Sequence, residues 1–169
     1  DPQRCAFGPP DRYEVFGDFV YEVVARYRGQ VRYFQMWNEP NADWFNDPRA
    51  RDKGPARLFI EMTNKMAAAI KRRYPDVLVG GPTLCWPPSW PPSQVGQSPW
   101  YTWEGWTLPW LRETKETVNF FDFHDYSASP EELAVQVEML HAAALHIQGR
   151  RLPIWITESN AGLEAPPNA

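Results

Sequence analysis

Apolar side chains recur at spacings of three and four residues in three stretches of the chain, and this period predicts three long helices. The first runs from Tyr13 to Tyr27 and stops before Gly29. The second runs from Pro55 to Arg73, with Pro75 just beyond its end. The third covers residues 130–149, where Ser129 and Glu132 form a capping-box pattern and Gly149 suits the C-terminal end.

Four shorter stretches are rich in β-branched and aromatic residues and predict strands. They are Val31 to Trp37, Val77 to Gly80, "VNFFDFHDY" at 118–126 and "LPIWITES" at 152–159. A further short helix is predicted near Leu108 to Lys115. Because helices and strands alternate, the pattern predicts an α/β fold with a parallel sheet and covering helices.

Two architectures fit such alternation, a doubly wound open sheet and a (β/α)₈ TIM barrel. The G-x-G-x-x-G turn that marks nucleotide-binding open sheets is absent from the sequence. Each predicted strand is followed at once by polar or special residues, which favours a barrel because barrel enzymes build their sites at the C-terminal ends of strands. These segments are Asn38-Glu39-Pro40-Asn41, Gly80-Gly81-Pro82-Thr83, His124-Asp125-Tyr126-Ser127 and Thr157-Glu158-Ser159-Asn160.

The length of the chain matches only part of a barrel. A complete barrel has eight strands in about 250 residues, whereas this sequence has 169 residues and four predicted strands. We therefore expect a partial (β/α)₈ barrel containing about strands 4 to 7 with their helices. Residues 1–169 would then form a single partial catalytic domain, truncated at both ends.

Composition excludes some classes of partner. The chain is 43% hydrophobic, enough for a core, and its net charge of −4 gives no reason to expect a nucleic-acid partner. No apolar stretch reaches the ~18 residues of a membrane span. The chain opens with Asp1 in a loop-like stretch, so we expect sequence to be missing upstream; the compartment is left unknown, and a secreted or periplasmic location stays open. Cys5 and Cys85 stand in no metal or redox spacing, and two isolated thiols are expected.

Two glutamates, Glu39 and Glu158, each lie at the C-terminal end of a predicted strand, Glu39 just past it. Hydrolysis of a glycoside needs such a pair, one group to protonate the leaving oxygen and another to attack the anomeric carbon or activate water. The plain alternatives are a turn residue in "NEPN" and a helix N-terminal charge. In a barrel both carboxylates would face one central pocket.

The sequence around both glutamates resembles a known group of enzymes. "WNEPN" and "ITES" are similar to the acid/base and nucleophile strands of the retaining (β/α)₈ glycoside hydrolases of clan A. "VRYFQMWNEPN" is most similar to family 39, which includes β-xylosidases and α-L-iduronidases. The likeness extends from about Tyr13 to Asn160, although Ser159 stands where that family usually has Trp. Agarase-like and other clan A families stay open.

The resemblance implies a role for each matching residue. Glu39 would be the acid/base, Glu158 the nucleophile, and Asn38 a hydrogen-bond partner of the sugar 2-hydroxyl. His124 and Tyr126 would bind substrate and line the pocket near the nucleophile. The implied function is a retaining hydrolase of O-glycosidic bonds that acts on an oligo- or polysaccharide without a cofactor or a metal. Its oligomeric state is left open.

Six tryptophans fall close together, and they have two interpretations. They are Trp86, Trp90, Trp100, Trp103, Trp106 and Trp110. Flat aromatic faces stack on sugar rings, but buried tryptophans also fix long loops in place. They would suit a rival hypothesis, a non-catalytic carbohydrate-binding protein on a degenerate barrel. None is assigned to the site.

Overall fold

The computed structural model describes residues 10, 12–41, 55–85, 103–126 and 129–159. Helices and strands alternate along the chain, as the sequence predicts. A π-helical turn, Trp103–Thr107, leads into the third helix. The elements are α1 (Tyr13–Tyr27), β1 (Tyr33–Gln35), α2 (Pro55–Arg73), β2 (Leu78–Leu84), α3 (Leu108–Glu113), β3 (Phe120–Asp125), α4 (Pro130–Gln148) and β4 (Ile154–Ser159).

The four strands form one parallel sheet in the order β1-β2-β3-β4. The sheet is strongly curved. The evidence is that the ring centroids of Tyr33 in β1 and Trp155 in β4 lie only 4.7 Å apart. In a flat sheet, three strand spacings of about 4.8 Å would separate these outer strands by roughly 14 Å. Sequential order, parallel pairing and curvature together are the geometry of half a barrel, and the predicted fold class is confirmed.

The helices form a layer on the convex side of the sheet, with α1 packed on α2, α2 on α3 and α3 on α4. The hydrophobic core lies between the two layers. Phe121 and Phe123 of β3 enter this core, where Phe59 of α2 stacks on Trp110 of α3. The alternate residues of β3, including Phe120, face the concave side. No helix in these described ranges is long and apolar enough to cross a membrane.

The limits of the three long helices agree with the sequence prediction to within one residue, because local signals in the sequence mark where they end. In α4, the Ser129 hydroxyl accepts a hydrogen bond from the Glu132 N–H at 3.2 Å, and Gly149 closes the helix in the left-handed conformation. Helices α1 and α2 have the predicted bounds. The third helix ends two residues before the predicted limit and begins directly after the π-helical turn.

The predicted end of the second strand is wrong. Strand β2 continues through Gly81, Pro82 and Thr83 to Leu84, where the sequence suggested that it stops at Gly80. These residues look like a turn, but β2 is paired to β3 along this segment, with an irregularity between Pro82 and Leu84. The first strand is shorter than predicted, because β1 is an outer strand whose pairing with β2 covers three residues.

Two neighbouring glycines let large rings approach β2 from both sides. A Cβ atom on Gly80 would lie 2.2 Å from the Phe120 ring on the concave side. A Cβ atom on Gly81 would lie 3.1 Å from the Trp110 ring in the core. The Gly-Gly pair is therefore a packing feature of the sheet.

Candidate active site

Three of the four parallel strands, β1, β3 and β4, deliver polar side chains to one end of the concave face. Glu39 follows β1, His124 lies near the end of β3, and Glu158 lies near the end of β4. His124 pairs in register with Glu158. Because all strands run in one direction, their C-terminal ends meet at the same edge of the sheet, and the sequence-predicted residues come together there.

His124 bridges the two glutamates. Its Nδ1 atom lies 2.7 Å from Glu39 Oε1, and its Nε2 atom lies 3.3 Å from Glu158 Oε1. The imidazole is almost fully buried, whereas the side chain of Glu158 is 49% exposed. Both ring nitrogens of His124 therefore face carboxylates.

Tyr126 holds the second oxygen of Glu158. The Tyr126 hydroxyl donates a hydrogen bond of 2.7 Å to Glu158 Oε2. This hydrogen bond is the main reason that the pKa of Tyr126 is raised to about 12, so the phenol keeps its proton at neutral pH. The two oxygens of Glu158 thus face different partners, and the orientation of the carboxylate is fixed.

The backbone around Glu39 is attached to the end of β2. The Glu39 N–H donates to the Thr83 carbonyl at 2.9 Å. The side-chain amide of Asn41 donates to the Cys85 carbonyl at 2.7 Å and accepts from the Cys85 N–H at 2.9 Å. Asn41 thus makes two hydrogen bonds to the backbone of Cys85. Together with the Glu39 bond, they hold the segment "NEPN" against the end of β2.

A buried polar network lies beneath this segment. Asp122 of β3 accepts hydrogen bonds from the Thr83 N–H at 3.0 Å and from the Thr83 hydroxyl at 2.9 Å. Gln35 of β1 donates to the same hydroxyl at 3.0 Å. Burial raises the pKa of Asp122 to about 6, against the opposing effect of the Thr83 hydrogen bonds. The network joins β1, β2 and β3 under Glu39.

Cys85 is a buried free thiol beside the site. Burial, followed by the charge of Glu39 and a hydrogen bond to it, raises the pKa of Cys85 to about 12, so the thiol stays neutral. Cys5 lies outside the described residues. Sequence reasoning missed Cys85, Thr83 and Asn41 as neighbours of Glu39, and only the second amide of "NEPN" offered a signal.

The remaining predicted residues take varied positions. Asn38 is exposed and lies directly before Glu39. Trp106 and Trp110 are buried in the core, as in the structural interpretation of the tryptophan cluster. Trp86, Trp90 and Trp100 lie outside the described residues.

The two glutamates and His124 could also offer ligands to a cation. Glu39, His124 and Glu158 each present one ligand atom, and these three atoms lie within 4.8 Å of one another. The short hydrogen-bond distances to His124 already account for this arrangement. In chemical terms, the site offers two carboxylates at close range, one buried imidazole between them and one neutral phenol.

The known proteins that resemble this chain in sequence or structure include glycoside hydrolases. No family model matches the chain. A β-xylosidase from Geobacillus stearothermophilus is 24% identical over 178 residues, covering 90% of this chain and 32% of the relative. The chain resembles glycoside hydrolase family 39.

Solved structures agree on the fold. A family 39 β-xylosidase from Caulobacter crescentus superposes with a TM-score of 0.62 at 22% identity, covering 89% of this chain and 31% of that one. A glucosidase from Croceicoccus marinus gives a TM-score of 0.64 at 18% identity, covering 92% of this chain and 32% of that one. The resemblance predicted from "WNEPN" and "ITES" is confirmed. The chain spans about a third of the length of these relatives.

Proposed function

We propose that the chain is part of the catalytic barrel of a glycoside hydrolase that acts by a retaining double displacement. The observation that supports this proposal is the close approach of two strand-end glutamates. A carboxylate oxygen of Glu39 lies within 4.8 Å of one of Glu158. Retaining enzymes hold their carboxyl groups about 5–5.5 Å apart, while inverting enzymes leave ~6.5–9.5 Å for a water molecule. The observed spacing favours retention.

In the first step Glu158 attacks the anomeric carbon and forms a covalent glycosyl-enzyme. The bond to the leaving oxygen breaks, and Glu39 gives its proton to that oxygen. In the second step Glu39 takes a proton from water, the water oxygen attacks the anomeric carbon, and the Glu158 carboxylate is released. Asn38, next to Glu39, would bind the sugar 2-hydroxyl.

The bridge through His124 suits this division of roles. A neutral imidazole has one donor and one acceptor nitrogen. With Glu39 as the protonated acid, its O–H donates to Nδ1, and Nε2–H donates to the Glu158 carboxylate. This pattern of donors and acceptors matches one protonated and one ionised glutamate, as the double displacement requires, and the Tyr126 hydroxyl supplies a second donor to Glu158. This places His124 behind the carboxylates rather than against the sugar.

The substrate class is a carbohydrate, since the relatives are a β-xylosidase and a glucosidase. Aryl β-D-xylosides are the first substrates to test, because the sequence relative and the family 39 structure are both β-xylosidases. The rival, a sugar-binding protein without turnover, needs no close carboxylate pair. The close contacts between Glu39, His124 and Glu158 therefore favour the enzyme.

The test is made in the full-length protein with Glu158→Gln and Glu39→Gln. Glu138→Gln, an exposed change on α4, is the matched control. We expect kcat/KM for phenyl β-D-xyloside, whose leaving group needs protonation, to fall by a factor of at least ~100 in both site variants, since acid–base catalysis alone contributes about 10²–10⁴, and to be unchanged in the control. Mass spectrometry after rapid quenching should detect the glycosyl group on Glu158. Full activity of Glu158→Gln would refute the mechanism.

A further inference from the structure

Two non-glycine residues in the described part of the chain have positive φ angles, and a backbone hydrogen bond joins them. Glu39 has φ 44° and Thr83 has φ 57°. The N–H of Glu39 donates to the carbonyl of Thr83 at 2.9 Å. A positive φ is a genuine outlier for a β-branched residue such as threonine. An unfavourable conformation of this kind persists only where its surroundings determine it.

Asp122 is the group that determines the conformation of Thr83. Its Oδ1 accepts from the Thr83 N–H and its Oδ2 accepts from the Thr83 hydroxyl, so one carboxylate binds both donors of that residue. Gln35 of β1 donates to the Thr83 hydroxyl oxygen, which gives this residue a third hydrogen bond. With its donors committed in this way, Thr83 turns its carbonyl toward Glu39.

Strand β3 thus holds Glu39 at two points. His124 contacts the carboxylate of Glu39, and Asp122, two residues earlier on the same concave face, holds its backbone through Thr83. Asp122 itself is completely buried, so it does not meet substrate.

We propose that Asp122 is a positioning residue for Glu39, acting through Thr83. The proposal rests on the proposed function, in which Glu39 is the acid and base. Loss of the Asp122 carboxylate should displace Glu39 without removing it. Misplacement by about 1 Å can lower a rate by about 100-fold, and it should affect the steps that need proton transfer by Glu39.

Two kinetic readouts separate this role from a merely structural one. The glycosylation step needs an acid for a phenyl glycoside, but hardly at all for a 2,4-dinitrophenyl glycoside, whose leaving group departs as an anion. Azide can replace water in the second step without a general base and yields a glycosyl azide of retained configuration. A loss of stability alone would affect both substrates alike and would give no response to azide.

The experiment compares Asp122→Asn, Glu39→Ala and Gln148→Leu in the full-length protein with aryl β-D-xylosides. The Asp122→Asn change keeps the shape of the side chain but presents an amide donor to a hydroxyl that already meets the Gln35 amide. Gln148 donates a buried hydrogen bond to the Leu111 carbonyl, far from the site, so Gln148→Leu is the control for lost stability.

For Asp122→Asn we expect a fall of roughly 10- to 100-fold in kcat/KM for the phenyl substrate. Its kcat/KM for the dinitrophenyl substrate should change little, and azide should accelerate turnover of that substrate. Gln148→Leu should show none of these changes. Thr83→Val, which loses only the hydroxyl, should repeat the pattern more weakly and serves if Asp122→Asn does not fold. Thr83→Ser keeps the hydroxyl and should therefore behave like the wild type in both readouts.

An equal loss on both substrates without an azide response, or wild-type kinetics in a folded variant, would overturn the proposal. Glu39→Ala separates a failure of the positioning role from a failure of the proposed function. If Glu39→Ala shows the leaving-group and azide pattern but the Asp122 and Thr83 variants do not, only the positioning role fails. If Glu39→Ala itself lacks the pattern, the proposed function fails.

Discussion

Asp122 combines deep burial with two hydrogen bonds that favour its charged form. Burial has the larger effect and raises its pKa from 3.8 to about 6. The folded protein therefore binds this proton more tightly than the unfolded chain does. The stabilising contribution of the protonated form is fully present below about pH 4 and is lost as pH rises through about 6.

The corresponding prediction concerns stability rather than activity. Asp122→Asn carries a neutral group of the same shape and removes this titration. The free energy of unfolding of the wild type, minus that of Asp122→Asn, should fall by on the order of 2–3 kcal/mol between pH 4 and pH 7. Urea denaturation of both proteins at pH 4, 5, 6 and 7 measures it. If the difference in free energy of unfolding between the two proteins did not change with pH, the raised pKa of Asp122 would be contradicted.

The contacts between individual residues of the candidate site could not be predicted from the sequence. Glu39 and Glu158 could be predicted because each stands in a recognisable motif after a strand. Thr83, Cys85 and Asp122 became neighbours of Glu39 only through the pairing of β2 with β3 and the docking of "NEPN" on β2. These pairs are far apart along the chain, so no local pattern encodes them.

At the scale of elements, helices were predictable and strand ends were not. Capping residues and prolines are local signals, and they fix helix limits wherever the chain lies. The Gly-Gly-Pro-Thr segment has the composition of a turn, yet it is strand because Phe120 and Trp110 pack against its two glycines. A pairing between distant segments here overrides a local preference.

This packing predicts opposite results for two glycine substitutions. Gly80→Ala should destabilise the protein by about 1–3 kcal/mol, because the new methyl group would overlap the Phe120 ring. Gly17→Ala should stabilise it by about 0.5–1 kcal/mol, since Gly17 lies inside α1 with open space around it. Unfolding midpoints in urea, measured on matched samples, report both changes. Equal effects of the two substitutions would show that the close packing of Gly80 does not decide its identity.

At the scale of the whole molecule, exposed apolar surface is concentrated at the two ends of the half-barrel. Among the described residues, α1 and α4 each expose large apolar side chains, as do the outer strands. The helices between them, α2 and α3, expose none of this kind in the part of the chain that the structure describes. The exposed residues include Val15, Phe19, Tyr33, Val135, Met139, Leu145, Trp155 and Ile156. In a closed barrel these faces would pack against further strands and helices.

The 169-residue chain in isolation should therefore self-associate, because outer strands and large apolar patches are sites of non-specific pairing. Phe19→Glu combined with Val135→Glu places one charge on each exposed helix face, at positions that are 62% and 59% exposed. This double variant should shift the chain toward monomer. Arg112→Glu on α3 changes the net charge by the same two units at an exposed position without covering apolar surface, so it should leave association nearly as strong. Sedimentation velocity over a range of concentrations distinguishes the cases. A wild-type chain that stays monomeric throughout, or an equal effect of Arg112→Glu, would show that these faces do not drive association.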